Sequence, residues 1–345
     1  MKKMNSRIFR PIAALVLLSV AVAGAQAQRA TKEIRKEFPT TSSTVLVIDN
    51  QFGKLTVEPW DQNKVIIEVK IEAKASDQVK ADKLLDRINV DINSSGSRIM
   101  AKTRLENKVV TRDDGKDESR SFTIDYLVKA PKGIAAELSN QFGDVSLGLL
   151  TGPIDLSIQF GSLNALGLLG PETSIEMQFV SKATIGEITE ADIEMQYSSP
   201  VKITKAGTLN LEAQFSTLEI GTVEVLDIES TSSKVVIENL LHSLICEGSM
   251  GSLDIRSVDA GFRSIEAEQN MGEISIRVDP KAGYRLDATS NMGSISLPEG
   301  FKADPTEKSG GMEIPGVSPK RTTGTFGDGS STINLESHMG SIRIR

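Results

Sequence analysis

The chain has 345 residues, a formal charge of −7, 4% aromatic residues and a single cysteine, Cys246. A net acidic chain repels nucleic acid and anionic lipid surfaces, which leaves cations, basic partners and neutral glycans open. One cysteine excludes an internal disulfide, so packing and hydrogen bonding must hold the fold.

Residues 1–27 read as a secretory signal peptide. Lys2, Lys3, Arg7 and Arg10 make a basic start, an apolar run spans Ile12 to Val22, and Ala25-Gln26-Ala27 supplies a small-x-small cleavage pattern. The run is shorter than the roughly 20 apolar residues of a spanning helix. Its removal takes away four basic and no acidic residues and moves the charge to −11. No cysteine follows to carry a lipid anchor, and no second long apolar run predicts a transmembrane segment. The expected location is the periplasm or outer surface of a Gram-negative bacterium.

Residues 28–130 predict a β-rich cap. Val45-Leu46-Val47-Ile48 and Val65–Ile71 read as strands, and Ser76 is placed to cap a helix near 76–88 whose Ala81, Leu84, Leu85 and Ile88 share one face. Strands follow at 90–92, 99–103 and 122–128, with the charged run Arg112–Glu118 as a hairpin tip or loop.

Residues 131–345 are organised by a repeat. A polar residue, an aromatic or methionine, and a small residue precede alternating apolar positions, as in Gln141-Phe142-Gly143-Asp144-Val145. The anchors Phe142, Phe160, Phe179, Tyr197, Phe215, Ser232, Met250, Met271 and Met292 are spaced by 18, 19, 18, 18, 17, 18, 21 and 21 residues. Outlying copies stand at Gln51-Phe52-Gly53 and His338-Met339-Gly340. Period-two alternation over short runs means strands with one buried face, and about 18 residues are too few for a helix pair. The predicted class is all-β: a parallel β-helix or β-solenoid with coils of about 18–21 residues, capped by the N-terminal segment. Nine coils at about 4.8 Å give a length on the order of 40 Å.

In-register stacking predicts inward files such as Leu211, Ile228 and Cys246, and an internal ladder of the aromatic anchors continued by the methionines. The repeats at Gln178–Ile185 and Gln196–Ile203 carry one extra residue, read as a bulge. Phe301 to Thr325, rich in Gly, Pro, Lys and Ser, reads as a surface loop. Arg343 and Arg345 are placed to blunt the edge of a last strand.

The segments Val45–Trp60, Ala130-Pro131-Lys132-Gly133, Asn140–Val145 and Met339–Ile344 together resemble the "putative adhesin" domains of unknown function of Bacteroidetes-type bacteria. That resemblance spans most of the mature chain. It implies a β-solenoid exported to the envelope and carries over no catalytic residue.

Three features bear on chemistry. Glu176, Glu194, Glu212, Glu229 and Glu247 each stand three residues before an anchor, and Asp155, Asp192 and Asp227 stand five before. Stacked, they make acidic ladders that a hard cation such as calcium would relieve, or a solvated face. No calcium-loop motif is present and no cofactor is expected. The Gln141, Gln159, Gln178, Gln196 and Gln214 series predicts an amide ladder. His242 and His338 lie too far apart for a local metal motif, and Cys246 takes an inward slot.

No nucleophile elbow, phosphate loop or dinucleotide fingerprint occurs. The reading is a non-catalytic, adhesin-like envelope protein that uses one face for protein or glycan contacts. A carbohydrate-active β-helix enzyme and a periplasmic sensor or regulatory partner are the alternatives. An isolated carboxylate pair in an apolar cleft would mark the enzyme.

Overall fold

Valine, isoleucine and leucine at every second position leave one face of each segment too apolar for water, and the segments satisfy their backbones by pairing side by side. The computed structural model describes residues 28–106, 121–305 and 320–345. The leader and the Arg112–Glu118 run lie outside them, as does most of the Phe301–Thr325 segment. The described chain is all-β apart from one short helix, and its strands join in one mixed sheet.

Antiparallel pairs gather at the two ends. Gln28–Pro39 pairs with Lys64–Ala75, which pairs in turn with Ser121–Pro131. Ile88–Ser95 pairs antiparallel with Arg98–Leu105. These strands lead straight into the repeats, because Val45–Gln51 lies parallel between Arg98–Leu105 and Ala135–Gln141. A buried amide link fixes the junction: Asn50 Nδ2 donates to Asn140 Oδ1 at 2.9 Å, and Asn140 Nδ2 donates to the Gly143 carbonyl at 2.9 Å.

The helix spans Gln78–Leu85 and buries Ala81 and Leu84. Its cap is Asp77, whose carboxylate accepts from the Lys80 N–H at 2.9 Å, rather than the predicted Ser76. Ile88 already belongs to the next strand.

Within the repeats, pairing is parallel and offset by one repeat. Ile154–Gln159 lies between Ala135–Gln141 and Thr173–Gln178. From Lys182 the strands lengthen to Lys182–Gln196, Val201–Gln214, Thr217–Thr231, Ser233–Val258 and Ser264–Val278, each paired along its length with the next. Leu138, Leu156, Ile175, Ile193, Leu211, Ile228 and Cys246 follow one another in register, and all are buried. Each such side chain contributes at most about 1.5–3 kcal/mol by leaving water, and no repeat buries its apolar face alone. The extra residues of the two longer repeats sit at the corners between strands, at 179–181 and 197–200, and not inside a ladder.

The order of strands departs from the order of the chain at the far end. Ser331–Met339 lies parallel between Ser264–Val278 and Tyr284–Met292. Ile342–Ile344 likewise lies between residues 274–276 and Ile295–Ser296. Arg343 is therefore not on a sheet edge: the strand that carries it is paired on both sides, and its guanidinium holds Glu273 at 2.6 Å. The outer side of Tyr284–Met292 is covered by Lys320–Phe326, running antiparallel, with Lys302–Ala303 beyond it.

Candidate functional site

The anchors form a single file, as the repeat predicts, but the file is outside. Phe52, Phe142, Phe160, Phe179, Tyr197 and Phe215 stack in that order, with neighbouring ring centroids 4.9–5.1 Å apart and planes within 13° of parallel. From Phe142 to Phe215 each keeps 41–48% of its surface exposed. The expected internal ladder is thus corrected, and the reason lies in the backbone. Alternation carried through the anchor would point it inward. Each of these residues instead has φ between 50° and 62°, the left-handed region, so alternation breaks there and the ring is turned out. The sequence held one signal of this: Ser232 takes the same place, also at φ 51°, where a buried ring file would leave a hole.

Methionines extend the stripe. Met250 lies beside Met271, Met271 beside Met339, and Met339 beside Met292, all at least 40% exposed. From Phe52 to Met292 the stripe runs on the order of 50 Å at the spacing of paired strands.

Stacking adds little net stability to the rings beyond the area they bury. A left-handed backbone costs an L-residue roughly 1–2 kcal/mol. An aromatic contact returns about 0.5–1.5 kcal/mol beyond its area. The two nearly cancel, and strained positions gather where a surface has work to do.

Beside the rings runs the amide ladder. Gln141 donates to Gln159, Gln159 to Gln178, Gln178 to Gln196 at 3.1 Å, and Gln196 to Gln214 at 3.2 Å. On the other side of the corner lies a second ladder that the sequence reading missed, built from inward hydroxyls. Backbone N–H groups of Val180, Ser198 and Ser216 donate to the hydroxyls of Ser198, Ser216 and Ser233 at 3.1–3.2 Å. Ser198, Ser216 and Ser233 are buried, and the file satisfies donors that a corner would otherwise orphan.

Two positions further from the rings stands the acidic file. Glu176, Glu194, Glu212, Glu229, Glu247 and Glu268 are consecutive partners in register. Asp155, Asp192 and Asp227 share a parallel file with Ser174 and Asn210 between them, and Asn210 Nδ2 donates to Asp192 at 2.8 Å. No lysine or arginine occurs on this face in 154–159, 173–178, 190–196, 208–214, 225–231, 243–249 or 264–270. Elsewhere the repeats do pair charges across one offset, as in Lys202–Glu219 at 2.6 Å, Lys205–Glu187 at 2.8 Å and Arg256–Glu238 at 2.5 Å.

The metal candidates Glu176, Glu194, Glu212, Glu229 and Glu247 lie along one straight, exposed file. Among the described residues, no group of three or more carboxylate, imidazole or thiol side chains converges as a metal site would require. His338 stands in the stripe's polar margin, its Nδ1 2.6 Å from Asn291 Nδ2 and its Nε2 3.5 Å from Glu268. His242 lies 3.9 Å from Glu224. Cys246 is buried, and burial pushes its thiol up to about 12, which leaves it protonated and inert at neutral pH. No described helix is long and apolar enough to cross a membrane.

No family model and no curated protein matches the chain. Among solved structures it matches a "putative adhesin" from Bacteroides fragilis at 11% identity and TM-score 0.31, over 91% of this chain and 97% of that one. A "putative adhesin" from Parabacteroides merdae matches at 14% identity and TM-score 0.31, over 72% of this chain and 90% of that one. A "putative lipid binding protein" from Parabacteroides distasonis matches at 11% identity and TM-score 0.35, over 92% and 96%.

Proposed function

We propose that the chain is an exported, non-catalytic, adhesin-like protein of the Gram-negative envelope that works by contact. In this reading residues 1–27 are the leader, 28–130 the cap, and 131–345 a β-solenoid of 18–21-residue coils with a surface loop near 301–325. Parallel pairing offset by one repeat supports the winding. The single observation that carries the contact role is the outward file of rings and methionines, all about half-exposed, in which every ring is held at a left-handed backbone cost that its stacking does no more than offset. Isolated apolar residues on a surface need no explanation, but a file of rings and methionines broken only at Ser232 does.

The test is affinity capture from the native envelope with the purified chain as bait, run beside a polysaccharide-cleavage screen. Retention of a defined envelope component, lost when the rings are replaced, is the expected result. Release of sugar products by the purified chain would defeat the non-catalytic reading.

A further inference from the structure

We infer that the ring-and-methionine stripe and the acidic file beside it form one docking surface for a basic polypeptide segment. The segment lays apolar side chains along the rings and lysine or arginine side chains over Glu194, Glu212 and Glu229. This rests on the contact reading and adds the chemistry of the partner.

Two independent features share this face. One is the apolar stripe, about half exposed from Phe142 to Met292. The other is a single-signed charge. The Glu file places like charges on successive paired strands, about 4.8 Å apart, where each carboxylate is repelled by both neighbours. The same repeats place lysine or arginine opposite glutamate elsewhere, in Lys202–Glu219, Lys205–Glu187 and Arg256–Glu238. On this face the repeats supply no lysine or arginine, so a partner's cations meet no competitor from the chain's own strands. The amide ladder lies between the two features and is hydrogen-bonded along its own length, so it holds stripe and charge at a fixed separation.

Only one kind of occupant suits both. A second copy of the chain brings the same sign, and an anionic membrane is repelled. A neutral glycan stacks best on ring faces, but each ring face here is covered by the next ring, with planes 2–6° from parallel between Phe142 and Phe215. Ring edges and thioethers remain exposed. They suit aliphatic side chains and the methylene stems of lysine and arginine, while the ammonium or guanidinium groups reach the carboxylates.

The test is titration of the purified chain with a short alternating Leu-Lys peptide, its Leu-Glu counterpart, and phosphatidylglycerol vesicles. Saturable binding of the Leu-Lys peptide alone, weakened about tenfold or more by high salt, is the expected result. The triple variant E194Q/E212Q/E229Q and the triple variant F160S/F179S/F215S should each weaken it about tenfold or more. Serine is chosen because Ser232 already holds that place. If the ring variant loses its cooperative melt, F179S alone is read in its stead, with a severalfold loss expected.

Unchanged binding in the ring variants would reduce the face to a plain polyanion and overturn the inference. So would equal binding of the Leu-Glu peptide or the vesicles, or self-association strengthened by the charge variant. Envelope capture of a neutral or acidic ligand without Leu-Lys binding would overturn this inference and leave the contact role standing. Polysaccharide cleavage would defeat the contact role without touching the peptide result.

Discussion

The phenylalanine half and the methionine half of the stripe turn the same corner by different means. Between Phe142 and Phe215 the anchor itself takes the left-handed backbone, at φ 50–58°. At Met250 and Met271 the next residue takes the unusual conformation instead, with Gly251 at φ 132° and Gly272 at φ 148°. The strands show the consequence. They break at the ring in the first half, as between Ala135–Gln141 and Val145–Leu150, and run through Met250 and Met271 in Ser233–Val258 and Ser264–Val278. An outward anchor can therefore be built without strain at the anchor, and the rings accept a cost that the methionines avoid. One half offers a stiff ribbon and the other a pliable one.

The comparison is tested hardest at its glycines. A Cβ on Gly272 would meet the Gly251 carbonyl oxygen at 1.8 Å on a backbone that disfavours side chains, whereas one on Gly161 would meet the Gly143 oxygen at 2.0 Å with no such φ. Gly272→Ala is expected to cost about 3–4 kcal/mol and Gly161→Ala about 1–3, read by denaturant melts. Equal costs would erase the distinction between the two corners. Removing the anchors sharpens it. Phe179→Gly relieves a left-handed strain and should cost about 1 kcal/mol, while Met271→Gly relieves nothing, adds chain entropy and should cost about 2. The reverse order would mean that the ring stack outweighs its backbone cost.

Smaller effects probe the ladders beside them. Gln178→Ala breaks two links of the amide ladder, whose glutamines run along the phenylalanine half, and should lower stability by about 1 kcal/mol. The matching change Asn270→Ala should cost less. Cys246, in the methionine half, gives a pH signature. Its native thiol is held up to about 12 by burial, so the unfolded thiol ionises first. The stabilisation is full below about pH 8.5 and falls by about 1.4 kcal/mol per unit as pH rises toward the native value. A melt series across that window should show this slope, and Cys246→Ala should remove it.

The period, the inward files, the amide ladder and the acidic file were legible because each follows from side chains recurring at one spacing. Leu211, Ile228 and Cys246, for example, need only the repeat to be aligned. The direction of Phe160 and Phe179 was not legible, because alternation assumes a β backbone at every position and a left-handed residue breaks that assumption without changing the sequence pattern. The buried serine file hid for a related reason: Ser198 and Ser216 follow the anchors and read as surface turn residues. The site of Ser331–Met339 was beyond local reasoning. Its alternation predicts a strand, but nothing in nine residues says that it belongs between two strands the chain has already made.

That interleaving has a consequence for how the molecule is completed. Residues 264–278 and 284–296 cannot pair with each other in the finished sheet, because residues 331–344 occupy the space between them. In the finished sheet the chain's last strands fill a slot between rungs that precede them in sequence, like a wedge in an arch. A chain that stops short of residue 331 keeps two raw edges facing each other across the slot. Those edges would be sticky, so truncation there should announce itself as aggregation and not as a merely shorter protein.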